Sequence, residues 1–402
     1  MSDSGRIDER LEALWQIARG PGGGADRPAF SSAEAVAMTL VAGWARSAGL
    51  EPGIDRHGNL WALPSGWDGP LVTSGSHVDT VPDGGRYDGA LGTVLALELA
   101  EELGDGTDGG ARPAVLVCAA EEAPRFGAGT IGSRLLVGAL ASSELEGLKD
   151  AAGVSAAEAR GGYARRLLPE LPAIEPPPFA RIRAHVEIHV ALRRALREIG
   201  VVRRVASPRR LEIELTGAAG HAGEISMEDR RDALAAAAEV VLGIEEAARA
   251  EPAETVATVG TVAIDPGAMT VIPGRVRLGV DLRAIDRDSL ERLEQRVRGA
   301  TEAVAQARGI AATLRLLRGG DPVELDPRLA DQAMAAAGRL GVAAVDTWSG
   351  AGHDAQHLAA VIPALLLFVP LHGGESHTPL EGADPAEIAA SALLAFDVLR
   401  QL

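Results

Sequence analysis

The stretch Leu71 to Gly92, LVTSGSHVDTVPDGGRYDGALG, concentrates residue types that can do chemistry. It opens on a short apolar run, Pro70 to Thr73, with the pattern of a buried strand. The run ends in Gly75, Ser76 and His77. Asp79 follows, and Asp88 sits in a Gly-rich loop before an apolar helix that opens near Leu91. A histidine and a carboxylate on a loop at the carboxyl end of a strand can share a divalent cation, because imidazole and carboxylate are the usual non-sulfur ligands of zinc and related metals. Asp79 is spaced to hold His77 through its other ring nitrogen. A plain polar turn has the same composition, so His77 by itself decides nothing and the rest of the chain must.

A second buried run, PAVLVCAA (Pro113 to Ala120), ends directly in Glu121 and Glu122. Successive side chains of an extended chain point different ways. One carboxylate can therefore bind a metal while its neighbour faces substrate as a general base beside an activated water. A solvated acidic helix start would look the same in isolation. In RIRAHVEIHVAL, His185, Glu187 and His189 alternate and so share one face of a strand. Either imidazole can complete a metal site, and the alternation does not choose between them.

The elements that must position these groups follow from bulk composition and periodicity. A chain of 402 residues exceeds one ordinary core, and 47% hydrophobic with 24% charged residues is a globular balance, so two domains are expected. The formal net charge of −17 argues against a nucleic-acid or anionic-membrane surface, which needs an excess of Lys and Arg. A small anionic substrate would need a local arginine. The single cysteine, Cys118, excludes an intrachain disulfide and a cysteine-based zinc site, and its strand-like setting makes it a core residue. The N-terminus is acidic and amphipathic, unlike a signal peptide. The longest apolar run, Leu358 to Leu371, is too short to cross a bilayer and contains Pro363. A soluble, cytoplasmic protein is expected.

Helical spacing of Ile7, Leu11, Leu14 and Ala18 predicts a first helix, and a second is expected from Ser32 to Ala48, capped by Ser31 or Ser32. Residues Val137 to Pro178 read as helical and then Pro-rich. From Arg210 the pattern changes. Leu211, Ile213 and Leu215 alternate with Glu212 and Glu214 as a half-exposed strand. A helix near Glu228 to Ala250, strands near Thr255 to Ile264 and Arg275 to Ala284, a helix near Arg287 to Arg308 and a strand near Ala311 to Leu317 follow. That β-α-β-β-α-β order suits a ferredoxin-like α+β insertion. After Gly320 a helix is expected at Pro327 to Leu340, a loop at Ser349 to Ala355, a buried strand at Ala364 to Pro370, a loop with His377, and a closing helix at Pro385 to Gln401. The expected fold is α/β, with a mostly parallel mixed sheet flanked by helices, split into residues 1–208 and 321–402 around an insertion at 209–320.

Taken in order, GSHVDT, GGRYDGALG, EEAPRFG, EIHV, GAAGHAG, RRDAL, DLR, SGAGHDA and GGESHTPLE resemble the metal-dependent amidohydrolases of the aminoacylase and carboxypeptidase type. The nearest branch is that of N-carbamoyl-L-amino-acid hydrolase, allantoate amidohydrolase and β-ureidopropionase. Each motif is weak alone, but nine in order over nearly the whole chain are specific. The resemblance implies two divalent metal ions, usually zinc and sometimes manganese, cobalt or nickel. His77 and His377 would bind one metal each or cap the pair, Asp88 would bridge both, Glu122 would bind one, and Glu121 would be the general base. His189 is favoured over His185 because the family writes Glu-Leu-His-Ile where this chain has Glu187 to Val190. The insertion would be a lid and dimerisation domain. Its His221 would reach into the partner subunit's site to stabilise an oxyanion, and Arg283 would clamp a substrate carboxylate. His353 would line the substrate pocket.

Three departures fall on the substrate side. HVALRRAL replaces the usual His-Ile-Glu-Gln-Gly-Pro, Thr270 stands where an Asn normally precedes Val-Ile-Pro-Gly, and Glu224 to Met227 replace Thr-Thr-Pro-Met. The expected activity is hydrolysis of a C–N bond in a small ureido or amide substrate, with an altered pocket. An aminoacylase or dipeptidase, and a catalytically silent ligand-binding homologue, are the competing readings.

Overall fold

The computed structural model describes residues 4–167, 169, 171–191 and 196–402. Leu192 to Ala195, in the altered stretch after His189, lie outside the described residues. In chain order the strands are β1 (Leu50–Ile54), β2 (Leu60–Pro64), β3 (Leu71–Ser74), β4 (Arg112–Val117), β5 (Ile182–Val190), β6 (Ile199–Val205), β7 (Arg209–Thr216), β8 (Gly220–His221), β9 (Val256–Asp265), β10 (Val271–Ile272), β11 (Arg275–Arg283), β12 (Ala311–Arg318), β13 (Val323–Glu324), β14 (Ala344–Ser349) and β15 (Ala364–Val369). The helices are α1 (Ser4–Trp15), α2 (Ser32–Ser47), α3 (Ala90–Leu103), α4 (Ile131–Leu136), α5 (Ala156–Leu167), α6 (Ala233–Arg249), α7 (Arg287–Ala307), α8 (Pro327–Leu340), α9 (Asp354–Leu358) and α10 (Pro385–Arg400). The chain divides into two compact units, one of residues 1–203, 324–348 and 352–402, the other of 204–323 with 349–351.

The first unit is an α/β layer structure on a mixed sheet of order β1-β2-β4-β3-β5-β15-β6-β13, with β14 also paired to β6. Its centre is parallel: β3 pairs in parallel with β4 and β5, and β5 with β15. β2 and β6 flank that centre antiparallel. β15, ALLLFV, is buried at every position. An unbroken apolar run without alternation is what a strand covered on both faces requires. One large core joins the sheet to α1, α2, α3, α8 and α10, with Leu11, Met38, Leu95, Val186 and Leu367 among its members.

In the second unit β7 alternates as expected, with Leu211, Ile213 and Leu215 buried. The sheet order is β12-β7-β11-β9, and every pair in it is antiparallel. α6 and α7 bury Val240, Ile244, Leu290, Leu293 and Val297 against one face of it. α6 starts at Ala233 and not near Glu228, because the Asp232 carboxylate caps it by accepting from the amides of Leu234 and Ala235. Among the described residues, no helix is long and apolar enough to cross a membrane.

Candidate metal centre

Chain segments at the carboxyl ends of the four parallel strands carry the chemistry, the position at which open α/β sheets hold ligands. His77 follows β3, Glu121 and Glu122 follow β4, His189 lies at the end of β5, and His377 follows β15. Asp88 comes from the loop before α3. These side chains converge within the first unit.

The imidazole geometry defines what they can hold. His77 Nδ1 lies 3.1 Å from the carbonyl oxygen of Asp79, and His189 Nδ1 lies 3.2 Å from that of Val190. A carbonyl oxygen only accepts, so each Nδ1 carries a proton, and in the neutral ring that a metal requires each Nε2 offers a lone pair. The two Nε2 atoms lie 3.3 Å apart. Asp88 Oδ1 stands 3.2 Å from His189 Nε2 and 3.9 Å from His77 Nε2. Three acceptors facing one another repel unless a cation sits among them. The donor set of two imidazoles and a carboxylate fits zinc and related divalent ions.

A second group shares Asp88. Its Oδ2 is 3.0 Å from His377 Nε2, which is 3.7 Å from Glu122 Oε1. Asp88 thus turns one oxygen to each group, and both are arranged to take a cation. Glu121 Oε2 stands 3.9 Å from His77 Nε2.

The electrostatics agree with that fit. Burial raises the Glu121 carboxyl well above its usual range, and burial together with Asp88 raises Glu122 to about 8. Burial would also raise Asp88, but His189, His377 and His77 hold it below the usual carboxylate range. A hydrogen bond to Asp88 raises His377 to about 9, whereas burial lowers His189 to about 4. Carboxylates crowded in a buried place favour their charged forms once positive charge is supplied.

Close packing fixes the donors. Gly89 has φ 65°, and a Cβ there would stand 2.4 Å from His77 Cε1. At Gly92 a Cβ would meet the carbonyl oxygen of Ile188 at 1.9 Å, so glycine lets the start of α3 lie against β5. Glu381, in the motif GGESHTPLE, accepts from the amides of Tyr87 and Asp88 at 2.6 and 3.0 Å and from Ser376 Oγ at 2.8 Å. The sequence signals this grip on the Asp88 loop only by an acidic residue close after His377.

The other candidates are placed as follows. His185 is buried beside Thr73, its Nδ1 3.0 Å from Oγ1, away from the donor cluster. Glu187 accepts from the Ala355 amide and Ser76 Oγ at 2.7 and 3.1 Å. His353 is buried, its ring edge-to-face with His189 at 4.5 Å. Asp79 meets His77 Nδ1 more closely through its carbonyl than through its carboxylate, which stands at 3.4 Å. His221, Thr270 and Arg283 belong to the second unit. His221 is exposed and its Nδ1 accepts from the Gly223 amide, while the Thr270 carbonyl accepts from the Ala222 amide. Arg283 donates to Asp281 Oδ1 at 2.7 Å and to the Gly350 carbonyl at 2.8 Å.

Comparison with known proteins now bears on this site. Residues 73–401 match the model of peptidase family M20/M25/M40. The chain is 34% identical to an N-carbamoyl-L-amino acid amidohydrolase of Geobacillus stearothermophilus, over 99% of this chain and 98% of that protein. It is 30% identical to an allantoate amidohydrolase of Bacillus subtilis, over 100% and 98%. A solved structure of a hydantoinase/carbamoylase family amidase from Burkholderia multivorans superposes with a TM-score of 0.86 at 31% identity, covering 100% of this chain and 98% of that one. With four-fifths of its length matched and relatives named as amidohydrolases, this chain belongs to peptidase family M20/M25/M40 and is a hydrolase.

Proposed function

We propose that the protein hydrolyses a C–N bond of a small ureido or amide substrate, in the manner of an N-carbamoyl-amino-acid amidohydrolase with an altered substrate pocket. The observation that carries this reading is the facing pair of His77 and His189 lone pairs on an Asp88 carboxylate shared with Glu122 and His377, with Glu121 alongside. His77, His189 and Asp88 would hold one divalent ion, and Asp88, Glu122 and His377 a second. Zinc suits this donor set, with manganese, cobalt or nickel as alternatives. Such ions supply Lewis acidity and lower the pKa of water.

In this mechanism Glu121 removes the proton of the attacking water and returns it to the leaving nitrogen, a cycle that suits a carboxyl raised by burial. His221 donates to the developing oxyanion in the partner subunit's site. Arg283 clamps a substrate carboxylate once it turns from Asp281, and Thr270 and His353 shape the pocket. The ferredoxin-like unit acts as lid and dimerisation domain. Support for its docking role comes from edge strand β9, which leaves Val256, Val262 and Ile264 exposed. We read the enzyme as a cytoplasmic homodimer.

One observation favours a second reading, a larger N-acyl or dipeptide substrate. A cavity of about 760 Å³ borders Glu122 and is lined by Phe30, Val154 and Tyr163. That is more room than a carbamoyl group fills. Zinc-loaded protein should be assayed on carbamoyl, formyl, acetyl and dipeptide substrates. Preference for carbamoyl compounds supports the first reading and preference for acyl or dipeptide compounds the second. Absence of turnover by fully metallated protein would sink both in favour of a ligand-binding homologue.

A further inference from the structure

Where β4 ends, four successive backbone amides leave the sheet and find side-chain oxygens. The Ala119 amide donates to Asn59 Oδ1 at 3.0 Å and the Ala120 amide to Glu34 Oε1 at 2.8 Å. The Glu121 and Glu122 amides donate to the two oxygens of Asp79 at 3.0 and 2.9 Å. All three acceptor residues are buried. They arrive from three separate places: the loop before β2, the first turn of α2, and the loop after β3. This is how the chain presents two adjacent carboxylates in different directions without sheet pairing to hold it.

Ala120 is the strained member. Its φ is 54°, the left-handed region that a residue with a Cβ rarely enters. Glu34 is the acceptor for its amide. The other oxygen of Glu34 accepts from the amide of Phe30, which is also left-handed at φ 52°. One buried carboxylate therefore ties two unfavourable backbone turns together, one before α2 and one before Glu121. Burial and the charge of Asp79 raise the Glu34 carboxyl well above its usual range. Arg27, 1% exposed, interacts electrostatically with Asp79 and Glu34 and donates to the carbonyls of Val78 and Leu14 at 2.7 and 2.8 Å.

We propose that Glu34 is a positioning residue for the reaction, holding Ala120 in its left-handed turn so that Glu121 and Glu122 face the donor cluster. The proposal rests on the assignment of Glu121 as base and Glu122 as ligand. A glutamine at this position has the right shape and the wrong chemistry: it offers one acceptor oxygen, and its NH₂ must face a second N–H donor.

The test compares Glu34→Gln with Val41→Ala, a cavity-forming change at a buried position of the same helix. Each folded, purified variant is measured for thermal midpoint, zinc affinity by competition with a chromogenic chelator, and kcat and KM at saturating zinc. Glu34→Gln is expected to bind zinc about ten-fold more weakly. Its kcat should fall about ten- to hundred-fold, as for a displaced catalytic group, with KM little changed. Val41→Ala should lower the midpoint and leave zinc affinity and kcat at the native level. If Glu34→Gln does not fold, Glu34→Gln with Ala120→Gly is used, since glycine adopts the left-handed turn freely; the same losses are expected, smaller in size. Native zinc affinity and kcat in a folded Glu34 variant would overturn the proposal, as would equal losses in Val41→Ala. The zinc measurement is independent of turnover. A native chain that hydrolyses nothing would therefore defeat the functional reading while the role of Glu34 is still decided.

Discussion

His77 and His189 point their Nε2 atoms at each other across 3.3 Å, each with its Nδ1 turned to a backbone carbonyl. In their neutral forms both rings turn acceptors to each other, and a cation between them satisfies both. Removing metal with a chelator should lower the thermal midpoint, and adding zinc should raise it with concentration, the stabilisation amounting to about 2.7 kcal/mol at a hundredfold excess over Kd. His77→Ala and His189→Ala should each weaken that dependence, as read by differential scanning calorimetry with and without zinc, the group of Asp88, Glu122 and His377 being left intact. A midpoint indifferent to zinc in the native chain would count against the metal centre.

Glu121 stands beside the cluster and outside the two donor groups that share Asp88. Glu121→Gln should retain zinc at the native stoichiometry and lose about 10²- to 10⁴-fold in kcat, the range of a missing general base. Metal analysis with steady-state kinetics checks this, and near-native turnover would remove Glu121 from the role.

Gly89→Ala places a methyl group 2.4 Å from the His77 ring at a backbone φ of 65°. The ring must move, so zinc binding should weaken more than overall stability does. Isothermal titration against a urea melt separates the two quantities.

Glu381 holds the loop that carries Asp88. Glu381→Ala leaves every metal donor in place yet should weaken zinc about 10- to 100-fold, the range seen when groups that orient ligands are removed. Unaltered zinc affinity would show that the Asp88 loop is held by other means.

His185 tests the remaining imidazole of the ligand strand. Burial lowers its pKa to about 3, whereas the unfolded chain titrates near 6.5. Between those values the unfolded state binds the extra proton, so stability is full above pH ~6.5 and falls as pH drops, by up to about 1.4 kcal/mol per unit. From pH 7 to 5 the native chain should lose about 2 kcal/mol more than His185→Gln in urea melts. Equal losses would mean that His185 is protonated in the folded state.

Much of this architecture is legible in local pattern. β4 and β15 are dense apolar runs, β3 is a short one, β5 alternates polar with apolar residues, and Pro327 with the Asp326 cap announces α8. Donor residues are legible because they sit where those runs stop. What stays hidden is set by pairings far apart in the chain. β6 and β14 take their places only through pairing, β6 against β15 and β14 against β6. Glu34 reads as an ordinary helix-start residue, since Ser31 caps its amide, yet its partner Ala120 lies 86 positions away. His353 lies in a loop motif, and only the fold brings its ring against those of Phe368 and His189.

Every donor of the cluster comes from one unit, while His221, Thr270 and Arg283 lie in the other. On the proposed chemistry, the residues that hold the ions are thus written in one part of the gene product, and those that meet the oxyanion and the substrate carboxylate in another. A lineage can retool those contacts by editing the second part, while the ion-holding set is inherited untouched.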